Sequence, residues 1–190
     1  MRDPQFSTWP EEKVQLGKLL QASPGDLAIE IGCFRGVTSL YLAQICRELK
    51  KKLVCIDVWD MRQDRSDDSV YYYFLETIEP VKDSVIILKS PSEIAVNKLP
   101  PGEVGFVFVD GDHSFEGAYR DLTNYWKVLR EGGVMAIHDV LDTKGWDGVG
   151  KAFDTFLQPG MTAHYLKYLP KKEEIRDYQH GISGLGWVVK

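Results

Sequence analysis

Short apolar runs alternate with longer amphipathic stretches along most of the chain. Residues 27–31 are apolar apart from Glu30, the pattern of a central strand covered on both faces. Helical spacing follows over 37–49, with Leu40, Ala43, Cys46 and Leu49 on the inward face. The alternation continues with strands over 53–58, 84–88, 104–109 and 134–137. Between them lie helices over 69–78, 92–99, 115–129 and 146–157. Pro100-Pro101-Gly102, Glu131-Gly132-Gly133 and Pro159-Gly160 are the breaks. Before the first strand, Thr8 is placed to cap a helix that has Pro10 in its first turn and ends at Pro24-Gly25. The last third differs: 162–169 and 184–189 read as strands with no helix between them, so they pair antiparallel. The fold expected is α/β, a Rossmann-like doubly wound sheet, mostly parallel, with an antiparallel last strand. It forms a single domain over 1–190, with an N-terminal helical segment (1–25) and a terminal β-hairpin (161–190).

Composition narrows the partners. The 190 residues carry a formal charge of −5. That argues against nucleic acid, which needs a surplus of Lys and Arg. Lys50-Lys51-Lys52 reads as a solvated helix end. Three cysteines without a CxxC pair make a disulfide framework or a zinc site unfavoured, and Cys46 and Cys55 read as buried hydrophobes. With no apolar run long enough for a membrane span, the expected location is the cytoplasm.

Two clusters carry the chemistry. In the first, Glu30-x-Gly32-x-x-x-Gly36 joins a strand to a helix, and Asp57 ends the next strand. Glycines let backbone amides approach a ligand, a helix N-terminus attracts anionic oxygens, and an acid at a strand end can hold a ribose diol. The spacing is GxxxG, not the GxGxxG of dinucleotide sites. In the second, an apolar strand delivers Asp110, Asp112 and His113, and the next delivers His138 and Asp139. Neighbouring strands lie about 4.8 Å apart. Asp110, His138 and Asp139 can therefore meet at one divalent cation. Asp112 is also placed to cap the helix near Phe115. Trp59, Met61 and Trp146 are candidate walls of an apolar acceptor pocket; Tyr71-Tyr72-Tyr73-Phe74 reads as packing.

These motifs resemble class I S-adenosylmethionine-dependent methyltransferases. Residues 28–36 are similar to the family's first motif and Asp57 to its ribose-binding acid. The resemblance implies a seven-stranded sheet. It also implies a cofactor site of Glu30 (toward the ammonium), Gly32, Cys33, Phe34, Gly36, Ser39, Asp57, Val58, Ser90 (toward the adenine) and Asp110. The tract Asp110-Gly-Asp-His-Ser-Phe-Glu-Gly is similar to the metal-dependent O-methyltransferases, in particular the macrocin-like branch. That implies a divalent metal, Mg²⁺ or else Mn²⁺, on Asp110, His138 and Asp139. Asp110 and His113 would be catalytic, with His113 as base; its unperturbed pKa of about 6.5 suits that task. The implied reaction methylates a hydroxyl of a small molecule, a sugar or natural product. Two alternatives stand beside it: a nicotinamide-dependent oxidoreductase, and a cofactor-binding accessory protein that transfers no methyl group. Trp9 and the terminal hairpin are candidate contacts for a homo-oligomer.

Overall fold

Buried β-branched and aromatic side chains drive the sheet. β1 (Leu27–Ile31), β2 (Lys52–Asp57) and β4 (Val104–Val109) are almost wholly buried, as expected of strands covered by helices on both faces. The computed structural model describes residues 8–60, 69–141, 147–167 and 184–190. With β3 (Val85–Lys89), β5 (Leu129–Ile137), β6 (Ala163–Leu166) and β7 (Leu185–Val189), the strands form one sheet in the order β3-β2-β1-β4-β5-β7-β6. The first five pair in parallel, and β7 lies antiparallel between β5 and β6. The order reverses between β1 and β4, so the crevice between their carboxyl ends is where open α/β sheets bind ligands. This is the seven-stranded, mostly parallel sheet that the sequence predicts.

The helices are α1 (Pro10–Ala22), α2 (Val37–Glu48), α3 (Ser69–Ile78), α4 (Ser92–Ala95), α5 (Phe115–Val128) and α6 (Asp147–Phe156). One apolar cluster packs α5 and α6 on one face of the sheet around Leu122, Tyr125 and Phe153. Another packs α1, α2 and α3 on the other face around Leu16, Leu42 and Phe74.

Several local expectations change. Leu42, Ala43, Ile45 and Cys46 form the buried face of α2; Leu49 lies past its end, exposed. Glu131-Gly132-Gly133 does not end α5 but lies inside β5, because Gly132 N–H donates to Lys190 O and Lys190 N–H to Gly133 O. Trp9, not Thr8, stands at the cap of α1, and it is buried rather than offered to a second subunit. The lysine run is only partly solvated: Lys51 Nζ donates to Ser23 O at 2.5 Å, and Lys52 Nζ donates to Asp83 O. All three cysteines are free and buried. Among the described residues no helix is long and apolar enough to cross a membrane.

Candidate active site

Each rim residue directly follows a strand, and the sheet's hydrogen bonds continue into it. Gly32 N–H donates to Ile56 O and Asp110 N–H to Ile31 O, both at 2.9 Å. His138 N–H donates to Val109 O, and Ser90 N–H to Asp57 O, both at 3.0 Å. The backbone of the rim is thus part of the sheet rather than a free loop.

The glycine turn is built for close approach. Gly32 has φ +84°, and a Cβ placed there would lie 1.9 Å from Asp110 O. Gly36, at φ +80°, starts α2 without a side-chain cap, so the first N–H groups of that helix are offered outward. Asp57 braces the turn from below: Oδ2 accepts Phe34 N–H at 2.8 Å and Oδ1 accepts Trp59 N–H at 2.7 Å. Trp59 Nε1–H in turn donates to Phe34 O at 2.8 Å. Phe34, Trp59 and Asp139 all have positive φ. Left-handed backbone at non-glycine residues costs on the order of 1–3 kcal/mol each and clusters at ligand sites.

A pocket opens over this turn, lined by Glu30, Gly32, Cys33, Phe34, Arg35, Val37, Thr38 and Asp110. Glu30 is 1% exposed, and among the described residues its Oε2 has no hydrogen-bond partner. Burial pushes its carboxyl up to about 8. A buried acid with an unused oxygen beside a pocket is suited to a cationic group. Cys33 turns inward, its Sγ–H toward Glu30 O and Ile56 O, and burial raises its thiol well above the usual range. Only its backbone is placed to serve the pocket. Ser39 is fully buried beneath it, whereas Val58 is exposed.

At the mouth, the ends of β4 and β5 bring two acids and two imidazoles together. His113 Nε2 lies 2.8 Å from Asp139 Oδ2 and 3.9 Å from Asp110 Oδ1. One donor atom each from Asp110, His113 and Asp139 fall within 4.8 Å of one another. His138 Nδ1 lies 3.3 Å from Asp110 Oδ1 and 3.4 Å from Asp139 Oδ2. Burial alone would lower the His138 pKa, but the Asp139 and Asp110 carboxylates override it and hold it well above the usual imidazole value. Burial likewise opposes protonation of His113, and its hydrogen bond to Asp139, with the charge of Asp110, raises it nonetheless. Asp139 responds in the opposite sense: despite burial, the charge of His138 and its bonds to both rings hold it well below the carboxylate range.

Other expected residues fall elsewhere. Trp59 is no pocket wall; it is buried against Tyr71 and Phe74. Ser114, rather than Asp112, caps α5, its Oγ accepting Gly117 N–H at 3.1 Å; Asp112 accepts Ser114 N–H in the turn before. Met61 and Trp146 lie outside the described residues. The sequence reading missed Glu12. Its Oε2 lies 3.0 Å from His138 Nε2, across 126 positions of chain. The only local signal was an acid in the first turn of a helix, which the helix dipole explains equally well.

Comparison with known proteins identifies the family and the fold. A family profile described as a methyltransferase domain matches residues 29–140, more than half of the chain. No curated protein matches. Among solved structures, cofactor-bound Rv0187 from MTB aligns with a TM-score of 0.72 at 16% identity, covering 98% of this chain and 82% of that one. An O-methyltransferase from Bacillus cereus in complex with SAH aligns at 0.71 and 18%, covering 97% and 83%. The O-methyltransferase TomG from Streptomyces achromogenes, involved in tomaymycin synthesis and solved with SAM, aligns at 0.71 and 18%, covering 96% and 81%. At such identities the likeness shows the fold, and the family match sets methyl transfer above the nicotinamide alternative. Glycine turn, braced acid and family match lead to one conclusion: the chain belongs to the methyltransferase-domain family, with the fold of the cofactor-bound O-methyltransferases it aligns with.

Proposed function

We propose that the protein moves the methyl group of S-adenosylmethionine to a hydroxyl of a small molecule, a sugar or natural product, with a divalent cation on Asp110, His138 and Asp139. The observation that carries this reading is the convergence of these three residues and His113 beside Gly32. The donor set fits Mg²⁺ or Mn²⁺: two hard carboxylates and one imidazole, the far side of that imidazole held by a further carboxylate, as ligating histidines usually are. A bound cation would make the acceptor hydroxyl more acidic.

The protein's own residues supply the rest. Glu30 faces the ammonium end of the cofactor. The first N–H groups of α2 receive its anionic oxygens, Gly32 lets the chain pass close beside Asp110, and Asp57 keeps that turn in shape. Ser90 borders the adenine. His113, held by Asp139, takes the acceptor's proton. Holding the two reactants in line contributes roughly 7–11 kcal/mol toward the barrier. The test is turnover of labelled cofactor on hydroxylated acceptors in EDTA. Loss of activity with recovery in Mg²⁺ or Mn²⁺ is expected; full activity in chelator removes the cation from the scheme.

Glu30 adds a pH signature. The unfolded chain ionises this carboxyl from about its ordinary 4.5 upward, whereas the folded one resists until about 8. Ionisation therefore favours unfolding as pH rises through that window. Glu30→Gln should raise the stability of the free protein on the order of 3 kcal/mol at pH 7. The wild type should bind S-adenosylhomocysteine more tightly as pH rises from about 6 to about 8, and the substitution should abolish that rise. Chemical denaturation and calorimetric titration over that range check both, and a pH-independent wild-type affinity contradicts the ammonium assignment.

A further inference from the structure

We infer that Glu12, on α1, is a positioning residue for the rim, fixing the His138 ring so that Nδ1 faces Asp110 and Asp139; this rests on the reading of those three residues as cation donors. Glu12 is 0% exposed, although it is an acid on the first turn of a helix. Its Oε2 accepts Trp9 N–H at 2.9 Å and lies 3.0 Å from His138 Nε2; its Oε1 accepts Gly184 N–H at 3.1 Å. A buried carboxylate survives only where donors surround it. Here they come from three separate segments: the start of α1, the tip of β5 and the entry to β7.

The consequence falls on His138. The outer torsion of a histidine side chain is soft and roughly two-fold, and turning the ring over exchanges nitrogens for carbons. Phe108 touches the ring only edge-on, at 6.2 Å between centroids, which does not distinguish the two orientations. Glu12 does, because only one of them places Nε2–H on its oxygen. With Nε2 held there, Nδ1 stands 3.3 and 3.4 Å from the two acids. Capping α1 through Trp9 N–H would require neither full burial nor contact with a residue of the rim.

The test uses the full chain with Mn²⁺ as the probe, without acceptor. Glu12→Gln and Glu12→Ala are compared with wild type by electron paramagnetic resonance of free Mn²⁺, by S-adenosylhomocysteine titration and by NMR of the His138 ring N–H. Mn²⁺ affinity should fall about 10–100-fold. Homocysteine-cofactor affinity should stay within about threefold, and the slowly exchanging Nε2–H signal of His138 should be lost. Mn²⁺ affinity unchanged in a folded variant, or both affinities falling by equal factors, overturns the positioning role. If the wild type binds no Mn²⁺, the cation reading fails on its own. The ring N–H then decides for Glu12: protection kept in Glu12→Ala refutes it, and protection lost supports it. Glu12→Gln, with its shape preserved, covers the case in which the alanine variant does not fold.

Discussion

His113→Ala should lower kcat by about 10²–10⁴-fold, the usual contribution of a positioned general base, while S-adenosylhomocysteine affinity stays within a few-fold. The separation is expected because His113 touches the acids of the rim and does not line the pocket over the glycine turn. The fold should tolerate the change, since the ring stands partly open at the mouth and Asp139 keeps His138 as a partner. The pH profile should carry the same mark. Asp139 and Asp110 raise the His113 pKa in the metal-free protein, and a cation on those acids would oppose that rise; in either state wild-type turnover should fall on acidification as the base is protonated. Single-turnover kinetics on the variant gives the answer. Equal losses of rate and cofactor affinity would make His113 a structural residue.

Gly32→Ala should be among the most damaging small changes to the scaffold. The added Cβ meets the backbone oxygen of Asp110 at 1.9 Å, and backbone cannot step aside as a flexible side chain can. The left-handed conformation at φ +84° adds its own penalty. Together with overpacking, a loss of about 3 kcal/mol or more is expected, a fall in Tm of roughly 6–12 °C for a chain of this size. Because the clash pushes on Asp110, Mn²⁺ and cofactor affinity should weaken together, unlike in the Glu12 variants. An unchanged melting temperature would show that β1 and β4 separate more easily at this end than their hydrogen bonding implies.

How much of this was legible beforehand depended on distance along the chain. The strand tips were readable because each announces itself locally: an apolar run, then Gly32, Asp57, Asp110 or His138 at once. Parallel order then brings the tips to one edge, since right-handed crossovers leave few other arrangements. Trp59 was misread because an aromatic after a strand looks the same whether it faces a ligand or the core. Only the arrival of Phe34 O at its indole N–H decides, and that contact spans 25 positions. The start of β5 was missed for the same reason. Gly132-Gly133 spells a helix stop until Lys190 supplies the partners that make it a strand. Glu12 is the extreme case, its reason for being an acid lying 126 residues away.

The placement of β7 bears on how the enzyme can be damaged. Among the described residues β6 reaches the sheet only through β7, so a nick or a strand-breaking substitution within 185–189 detaches two strands together. It would also bare the flank of β5, which delivers His138 and Asp139. Inactivation by limited proteolysis should therefore coincide with newly exposed, self-associating sheet edge.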